Sequence, residues 1–319
     1  MPLPTRLLLW TDTPAPYADA ILAAGLGPRV VMEMLARKEM PSEAQLAQTE
    51  ALLAWGAPLG LLPRMPKLRW AQALTAGVES WLALPDLPAG LTLTCARGTH
   101  GDSMPENILG GIFHITKGYA AMAEAQTFSA WKRRVATPLS GKVLGILGLG
   151  AIGAEVARLA AALRMEVIGT RRTPSPMPHV SEVLPPERTD EVLARADFVV
   201  LLLPATPQTE NFINAERLAR MKPDAWLLNF GRGQAIADAD LIAALTEKHI
   251  GGAILDVFRE EPLPASHPFW ITPGLMVLPH IGGMHPDRDR VVAQLLTENL
   301  ARFLDGQPLR EVVNPARGY

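Results

Sequence analysis

A glycine-rich segment directly behind an apolar run constrains the fold of this chain more than any other feature. Gly148, Gly150 and Gly153 form a GxGxxG pattern after the apolar residues 143–147, and residues 151–163 have the pattern of a helix. In such a unit the glycines permit a tight turn, close approach of a pyrophosphate and close helix–strand packing. The helix N-terminus then offers N–H groups to the anion. Glycine-rich turns also occur by chance and in methyltransferases, so the flanking strand and helix are what favour a dinucleotide site.

Composition limits the class of protein. A chain of 319 residues with 48% hydrophobic residues predicts two domains with sizeable cores. Thirty basic residues against 32 acidic ones give a net charge of −2, which favours neither nucleic acid nor a membrane surface as a partner. The single cysteine, Cys95, excludes an internal disulfide and a cysteine-based metal site, and we predict no metal. No apolar stretch has spanning length and the N-terminus does not resemble a signal peptide, so we expect a cytoplasmic protein.

Two sets of strands alternate with helices along the chain. Residues 5–95 predict a small open α/β layer. From residue 143 onward, six apolar runs separated by helices predict a parallel sheet covered on both faces. These six runs are Val143–Leu147, Met165–Gly169, Phe198–Leu203, Ala225–Asn229, Ala253–Val257 and Leu275–Leu278. A helix over 287–304 is expected to follow the last strand.

A helix is also predicted to begin near Met104. Ser103 and Glu106 have the spacing of a capping box, in which the serine hydroxyl accepts from the N–H group of the residue three positions on. Pro105 is compatible with the first turn of such a helix.

Polar residues directly after the apolar runs are the candidates for chemistry, because open α/β sheets bind ligands beyond the carboxyl ends of their strands. Arg232, Asp256, Glu261 and His280 occupy such positions. Singly, each has an ordinary explanation as a turn, loop or packing residue. Together they supply a cation for an anionic substrate, an imidazole for acid/base work and carboxylates to tune it.

At these motifs the chain resembles the D-2-hydroxyacid dehydrogenase family, whose members use NAD(P). The resemblance rests on the segments LSGKVLGILGLGAIG, ADFVVLLLPATPQTENFINAERLARMKPDAWLLNFGRG, GGAILDVFREEPLP and PHIGG, in this order. It covers most of residues 68–285. The segment GVESW differs from the GVG followed by Asp-Asn of many relatives and is more similar to the glyoxylate/hydroxypyruvate reductase branch.

The resemblance implies an α/β architecture with a doubly wound, Rossmann-type cofactor domain and a smaller, flavodoxin-like substrate domain. It implies that residues 1–99 and 288–319 form the substrate domain and that residues 100–287 form the dinucleotide-binding domain. A hinge between the domains and a homodimer built largely on cofactor-domain helices are also implied.

The resemblance further assigns roles to residues. Arg232, Glu261 and His280 match the catalytic residues of the family, and Asp256 matches the acid that orients the nicotinamide. His280 would donate a proton to the carbonyl oxygen as hydride arrives from the cofactor, and pairing with Glu261 is expected to favour its imidazolium form. The guanidinium of Arg232 would bind the substrate carboxylate and carbonyl as a planar fork.

The remaining contacts concern substrate and cofactor. Substrate contacts are expected from Arg232, His280 and the backbone of Ala76, Gly77 and Val78, the alternative for that turn being a plain strand-to-helix connection. The expected cofactor contacts are Gly148, Leu149, Gly150, Ala151, Ile152, Gly153, Arg171, Arg172, Leu203, Pro204, Phe230, Gly231, Arg232, Asp256, His280 and Gly282.

The end of the second strand of the cofactor domain bears on the choice of nicotinamide cofactor. NAD-preferring sites place an acid there to bind the ribose 2′-OH. Residues 170–173 are Thr-Arg-Arg-Thr instead, and the two guanidiniums of Arg171 and Arg172 could pair with a 2′-phosphate. We therefore predict that NADP(H) is preferred and that NAD(H) is possible, the alternative being a solvated basic turn.

Two other functions are compatible with these motifs. A cofactor-sensing binding protein or corepressor would share the fold, although Arg232, Glu261 and His280 are all present. A formate- or phosphite-type dehydrogenase is a weaker alternative. We predict a small 2-oxo acid, glyoxylate or hydroxypyruvate, as the substrate.

Overall fold

A computed structural model describes residues 3–316 and Gly318 of this chain and divides it into two compact units. One unit contains Met1–Thr99 and His285–Tyr319, and the other contains His100–Met284. The predicted domain boundaries at 99/100 and 287/288 stay a prediction.

The elements follow each other in regular alternation. The strands are β1 Thr5–Trp10, β2 Val30–Leu35, β3 Ala51–Ala54, β4 Trp70–Ala73, β5 Thr92–Thr94, β6 Val143–Leu147, β7 Glu166–Thr170, β8 Glu182–Leu184, β9 Phe198–Leu201, β10 Trp226–Asn229, β11 Gly252–Leu255 and β12 Leu275–Val277. The helices are α1 Ala15–Ala23, α2 Glu43–Gln48, α3 Glu79–Leu82, α4 Ser103–Lys117, α5 Tyr119–Thr127, α6 Ala151–Ala162, α7 Thr189–Arg195, α8 Ala215–Leu218, α9 Asp238–Thr246 and α10 Arg288–Leu304. Among the described residues, none of these helices is long and apolar enough to cross a membrane.

The smaller unit is built on a parallel five-stranded sheet with the order β2-β1-β3-β4-β5. This is the flavodoxin-like order, in which the chain reverses direction across the sheet after β2. Helices α1 and α10 pack together, and the apolar residues Leu9, Ile21 and Leu296 share one core with them. The helix predicted over 287–304 is therefore α10, which belongs to this unit.

The larger unit contains a parallel seven-stranded sheet with the order β12-β11-β10-β9-β6-β7-β8. The first strand, β6, lies between β9 and β7, so the order reverses at β6 as in a Rossmann-type sheet. Two apolar clusters cover the two faces, one around Leu227 and Leu255 and the other around Ile146 and Val156. The fold class predicted from the sequence is confirmed.

Two local features differ from what the sequence predicted. Strand β8 was not predicted, because its three residues follow a proline-rich segment and form a strand only by pairing with β7. The capping box at Ser103 is wrong: Asp102 is the N-cap of α4, and Ser103 is the first helical residue. The Ser103 hydroxyl lies 3.3 Å from the carbonyl oxygen of Gly282 and 3.1 Å from that of Met284. The tertiary contact thus replaces the local cap.

The carboxylate of Asp197 connects the starts of two central strands. It accepts a hydrogen bond from the Val143 N–H group at 2.8 Å and lies 3.2 Å from Lys222 Nζ and 3.7 Å from Lys142 Nζ. Burial by itself opposes ionisation, but these hydrogen bonds and charges outweigh it and lower the pKa of Asp197. The ionised carboxylate therefore stabilises the fold.

We predict that Asp197→Ala lowers the free energy of unfolding by about 1.5–3 kcal/mol at neutral pH, the usual worth of a hydrogen bond to a charged group. Because the folded pKa is lowered, this stabilisation is present above the unfolded value of about 3.9 and is lost as the pH falls through the folded value. Urea unfolding should show the full deficit at about pH 7 and a progressively smaller one as the pH falls below about 3.9. The control Asp305→Ala removes an exposed pair with Arg29 and should cost under about 1 kcal/mol. A deficit independent of pH would contradict the ionic account.

Candidate active site

The glycine-rich turn after β6 is tightly packed at two of its glycines and open at the third. Gly148 has φ = 105°, and a Cβ atom there would lie 2.8 Å from the carbonyl oxygen of Leu202. A Cβ atom at Gly153 would lie 3.1 Å from the Gly148 carbonyl oxygen, so the helix packs closely on the turn. At Gly150, in contrast, no described atom lies within 4 Å of a Cβ position. Packing thus excludes a side chain at Gly148 and is tight at Gly153, and the third glycine leaves room for a ligand at the backbone.

The N-terminus of α6 faces this open position. Within the described residues, no side chain caps the helix, whose N-cap is Gly150. The N–H groups of Gly148 and Leu149 both donate to the carbonyl oxygen of Thr170 at the end of β7, which fixes the turn at the point where the sheet order reverses. Ala151 and Ile152 begin the helix. An uncapped helix N-terminus beside an open glycine fits a dinucleotide phosphate.

The residues after β7 carry positive charge. Thr170 is buried, whereas Arg171 and Arg172 are exposed. Arg171 donates a hydrogen bond from Nη1 to Ser175 Oγ at 3.1 Å, and its N–H group donates to the carbonyl oxygen of Leu184. No carboxylate occurs between residues 170 and 181. This strand end therefore presents cations where a ribose-binding acid would be expected.

The turn that carries Arg232 is organised by Asn229, which sequence reasoning did not single out. The Asn229 side chain is fully buried, accepts from the Gly231 N–H group at 3.0 Å and donates to the Arg232 carbonyl oxygen at 3.0 Å. A Cβ atom at Gly231 would lie 2.7 Å from the carbonyl oxygen of Leu203. Arg232 Nη1 donates to the Gly231 carbonyl oxygen at 2.7 Å. The available signal was an asparagine where the neighbouring buried strand residues are apolar.

Glu261 and His280 are brought together from two different loops. His280 Nδ1 lies 2.6 Å from Glu261 Oε2, and Glu261 Oε1 accepts from the Phe258 N–H group at 2.8 Å. The imidazole is held at one nitrogen while 51% of the side chain stays exposed. His280 has φ = 53°, a left-handed conformation that is uncommon for a residue with a side chain. The pair is therefore an oriented imidazole–carboxylate arrangement accessible to a reactant.

Asp256 directly follows β11 and is almost completely buried. Its carboxylate accepts from the N–H groups of Ile281 at 2.7 Å and Gly282 at 2.9 Å. Burial raises the pKa of Asp256, although the two backbone hydrogen bonds and the nearby His280 oppose the rise. A Cβ atom at Gly282 would lie 2.7 Å from the carboxylate, so the turn after His280 requires glycine. In this structure Asp256 holds the loop that carries His280.

Three further predicted cofactor contacts lie on the same sheet edge. Leu203 and Pro204 follow β9 and are half-buried. Phe230 follows β10 and is buried, with its ring 2.8 Å from the Cβ position of Gly282.

The predicted substrate turn belongs to the smaller unit. Ala76 and Gly77 are half-buried and Val78, the N-cap of α3, is buried. Thr75 Oγ1 donates to the Gly77 carbonyl oxygen at 2.5 Å and shapes the turn after β4. Within the described residues, no group of three or more His, Cys, Asp or Glu side chains could hold a metal ion.

Comparison with known proteins assigns the family. The model of the D-isomer specific 2-hydroxyacid dehydrogenase NAD-binding domain matches residues 109–282. The chain is 32% identical over 287 residues to a glyoxylate/hydroxypyruvate reductase B of Yersinia enterocolitica, covering 85% of both proteins. It is 30% identical over 274 residues to a glyoxylate/hydroxypyruvate reductase A of Photorhabdus laumondii, covering 84% of this chain and 87% of that protein. The chain belongs to the D-isomer specific 2-hydroxyacid dehydrogenase family.

Solved structures agree over almost the whole chain. A D-isomer specific 2-hydroxyacid dehydrogenase from Xanthobacter autotrophicus in complex with NADPH and MES has a TM-score of 0.88 and 30% identity, covering 99% of this chain and 100% of that one. An NADPH-dependent glyoxylate/hydroxypyruvate reductase from Sinorhizobium meliloti in complex with NADP and sulfate has a TM-score of 0.86 and 28% identity, with the same coverage. The chain is an NAD(P)-dependent 2-hydroxyacid dehydrogenase that acts on a small molecule with a nicotinamide cofactor.

We predict that Asn229→Asp, which preserves the shape of the side chain, destabilises the larger unit by about 1–3 kcal/mol at neutral pH. The carboxylate cannot donate to the Arg232 carbonyl oxygen and would face it with a negative charge. Because a protonated carboxyl group can donate, part of the loss should return as the pH is lowered toward about 5. Urea unfolding of both proteins at the two pH values measures this. Equal stability of variant and wild type would show that this buried amide does not hold the turn.

Proposed function

We propose that this enzyme reduces small 2-oxo acids, with glyoxylate and hydroxypyruvate as the favoured substrates and NADPH as the favoured reductant. The observation that carries the proposal is the 2.6 Å contact between His280 Nδ1 and Glu261 Oε2, in the same unit as the glycine-rich turn. The names of the two reductase relatives support the substrate class.

His280 is the proton donor in this proposal. Glu261 holds Nδ1, so Nε2 is the nitrogen that faces the reactant, and it gives its proton to the carbonyl oxygen of the substrate. The nicotinamide, when bound, supplies the hydride. In the oxidative direction the same nitrogen removes the hydroxyl proton. Because Phe258 N–H holds the second oxygen of Glu261, the carboxylate cannot rotate away without losing a hydrogen bond.

Arg232 binds the substrate carboxylate. Asn229 holds the backbone of the turn at Gly231 and Arg232, so the point from which the guanidinium extends is defined before the substrate arrives. The backbone N–H groups of Ala76, Gly77 and Val78 are proposed as further substrate contacts. Asp256 orients the nicotinamide through the Ile281–Gly282 turn that it holds.

The preference for NADPH is supported by the charge at the end of β7. The side chains of Arg171 and Arg172 are exposed, and no acid is present there to bind a ribose 2′-OH. The Xanthobacter and Sinorhizobium structures were solved with NADPH and NADP. NADH remains a usable but weaker reductant.

A cytoplasmic homodimer is part of the proposal. Four large apolar side chains in and after α5 are well exposed: Tyr119, Phe128, Trp131 and Val135. An exposed apolar segment of this kind is typical of a contact surface, and light scattering of the purified protein would measure the oligomeric state. The single buried cysteine, Cys95, suits a reducing compartment.

Oxidation of NADPH across glyoxylate, hydroxypyruvate, pyruvate, phenylpyruvate and branched 2-oxo acids tests the proposal directly. We predict turnover with the first two and a loss of about 10²-fold or more in kcat for His280→Ala, the scale of lost general acid catalysis. NADPH binding by His280→Ala, measured by fluorescence, should be retained.

His285→Ala is the matched control, because His285 follows closely in the chain and has no assigned role. It should keep wild-type kcat. NADPH binding without turnover of any 2-oxo acid by the wild type would instead favour the cofactor-sensing binding protein. Oxidation of formate or phosphite would favour the third function.

We predict that replacing both Arg171 and Arg172 by alanine raises the KM for NADPH at least about tenfold and leaves that for NADH nearly unchanged. A single charge-assisted hydrogen bond is worth about 1.5–3 kcal/mol, and about 1.4 kcal/mol corresponds to tenfold. The salt dependence of NADPH binding should flatten in the variant. Equal use of NADPH and NADH by the wild type would refute the preference and leave the dehydrogenase assignment intact.

A further inference from the structure

The loops that carry Arg232 and Glu261 are in direct backbone contact. A Cβ atom at Gly233 would lie 2.0 Å from the carbonyl carbon of Phe258 and 2.4 Å from the nitrogen of Arg259. Only glycine allows this approach. The two loops therefore share one packing constraint, and a shift of either one moves the other.

The side chain of Arg259 reaches across this contact. Its Nη2 lies 3.1 Å from the carbonyl oxygen of Gln234 and 2.5 Å from that of Ile236, both in the segment that follows Arg232 and Gly233. Arg259 itself is two residues before Glu261. One side chain thus joins the loop of the acid to the loop of the proposed carboxylate-binding arginine.

Residues 210–211 and Asp238 also contact this guanidinium. Arg259 Nη1 donates to Glu210 Oε1 at 2.6 Å, and Nη2 contacts Asn211 Oδ1. Arg259 Nε lies 3.4 Å from Asp238 Oδ1. The Asn211 N–H group also donates to the Gln234 carbonyl oxygen at 2.9 Å. The acceptors therefore lie on several sides, which suits a rigid planar group with five N–H donors.

We propose that Arg259 is a positioning residue that sets the spacing between Arg232 and the Glu261–His280 pair. The proposal rests on the roles assigned to those three residues under the proposed function. Among the described residues, Arg259 contacts Glu210, Asn211, Gln234, Ile236 and Asp238 and none of the three catalytic candidates. It acts by holding residues 234–236 and 258–261 against each other, so that carboxylate binding and proton transfer occur at matched positions.

If Arg259 only stabilised the fold, its loss would lower activity in proportion to the loss of stability. The Arg259 side chain is 31% exposed, and its carboxylate partners Glu210 and Asp238 are 45% and 25% exposed. Ion pairs at such exposure contribute little to stability. The backbone carbonyl contacts, in contrast, fix loop geometry, and a misplacement of about 1 Å can reduce a rate by about 10²-fold. A large kinetic effect with a small stability effect therefore identifies positioning.

The test uses Arg259→Ala and Arg259→Lys in the full-length enzyme, with NADPH and glyoxylate, well below the Tm of each variant. Both should lower kcat about tenfold or more and raise the KM for glyoxylate, because a lysine ammonium cannot reach acceptors on several sides. The Kd for NADPH should stay within about twofold, since the glycine-rich turn is not touched. Arg220→Ala, which removes an exposed pair with Glu216, is the control and should match wild type.

Added guanidinium at millimolar, non-denaturing concentration should restore part of the activity of Arg259→Ala and none of that of His280→Ala. Wild-type kcat in both Arg259 variants, or a loss that follows the fall in Tm without guanidinium rescue, would overturn the positioning role. Either of these two results for Arg259 would leave the proposed function intact, provided that His280→Ala is inactive. Absence of 2-oxo acid turnover in the wild type would refute the proposed function itself.

Discussion

Parallel pairing of β6, β9, β10, β11 and β12 brings the loops that follow these strands to one edge of the sheet, and the arrangement of the site depends on this crowding. The loops approach each other so closely that side chains are excluded at several points. Gly148 lies against Leu202, Gly231 against Leu203, and Gly233 against Phe258. The glycines of the motifs are thus a packing requirement of the sheet edge as well as a means of binding phosphate.

Hydrogen bonds made by Asn229, Asp256 and Glu261 then fix the geometry of these crowded loops. Asn229 holds the turn of Arg232, Asp256 holds the turn of His280, and Glu261 is held by Phe258 while it holds the imidazole. Each of these groups uses both of its polar atoms on backbone or on a second side chain. A site built in this way is formed before any ligand binds, which reduces the reorganisation that the reaction requires.

The smaller unit is formed by two segments that lie far apart in the chain. The last helix, α10, packs with α1 although about 270 residues separate them, because its apolar face completes the core of the five-stranded sheet. The seven-stranded unit is consequently an insertion within the smaller one. The glycine-rich turn, Arg232, Glu261 and His280 all lie in the inserted unit.

The sequence by itself determined the fold class, the family and most strands, because apolar runs of strand length and a GxGxxG turn are local signals. It also indicated the strand-end residues Arg232, Asp256, Glu261 and His280, whose assigned roles stay predictions. Only the tertiary structure decided that Ser103 bonds to residues 282 and 284 instead of capping its helix, that residues 182–184 form an edge strand, and that Asn229 and Arg259 hold the loops. These properties depend on partners distant in the chain, and no local pattern specifies such partners.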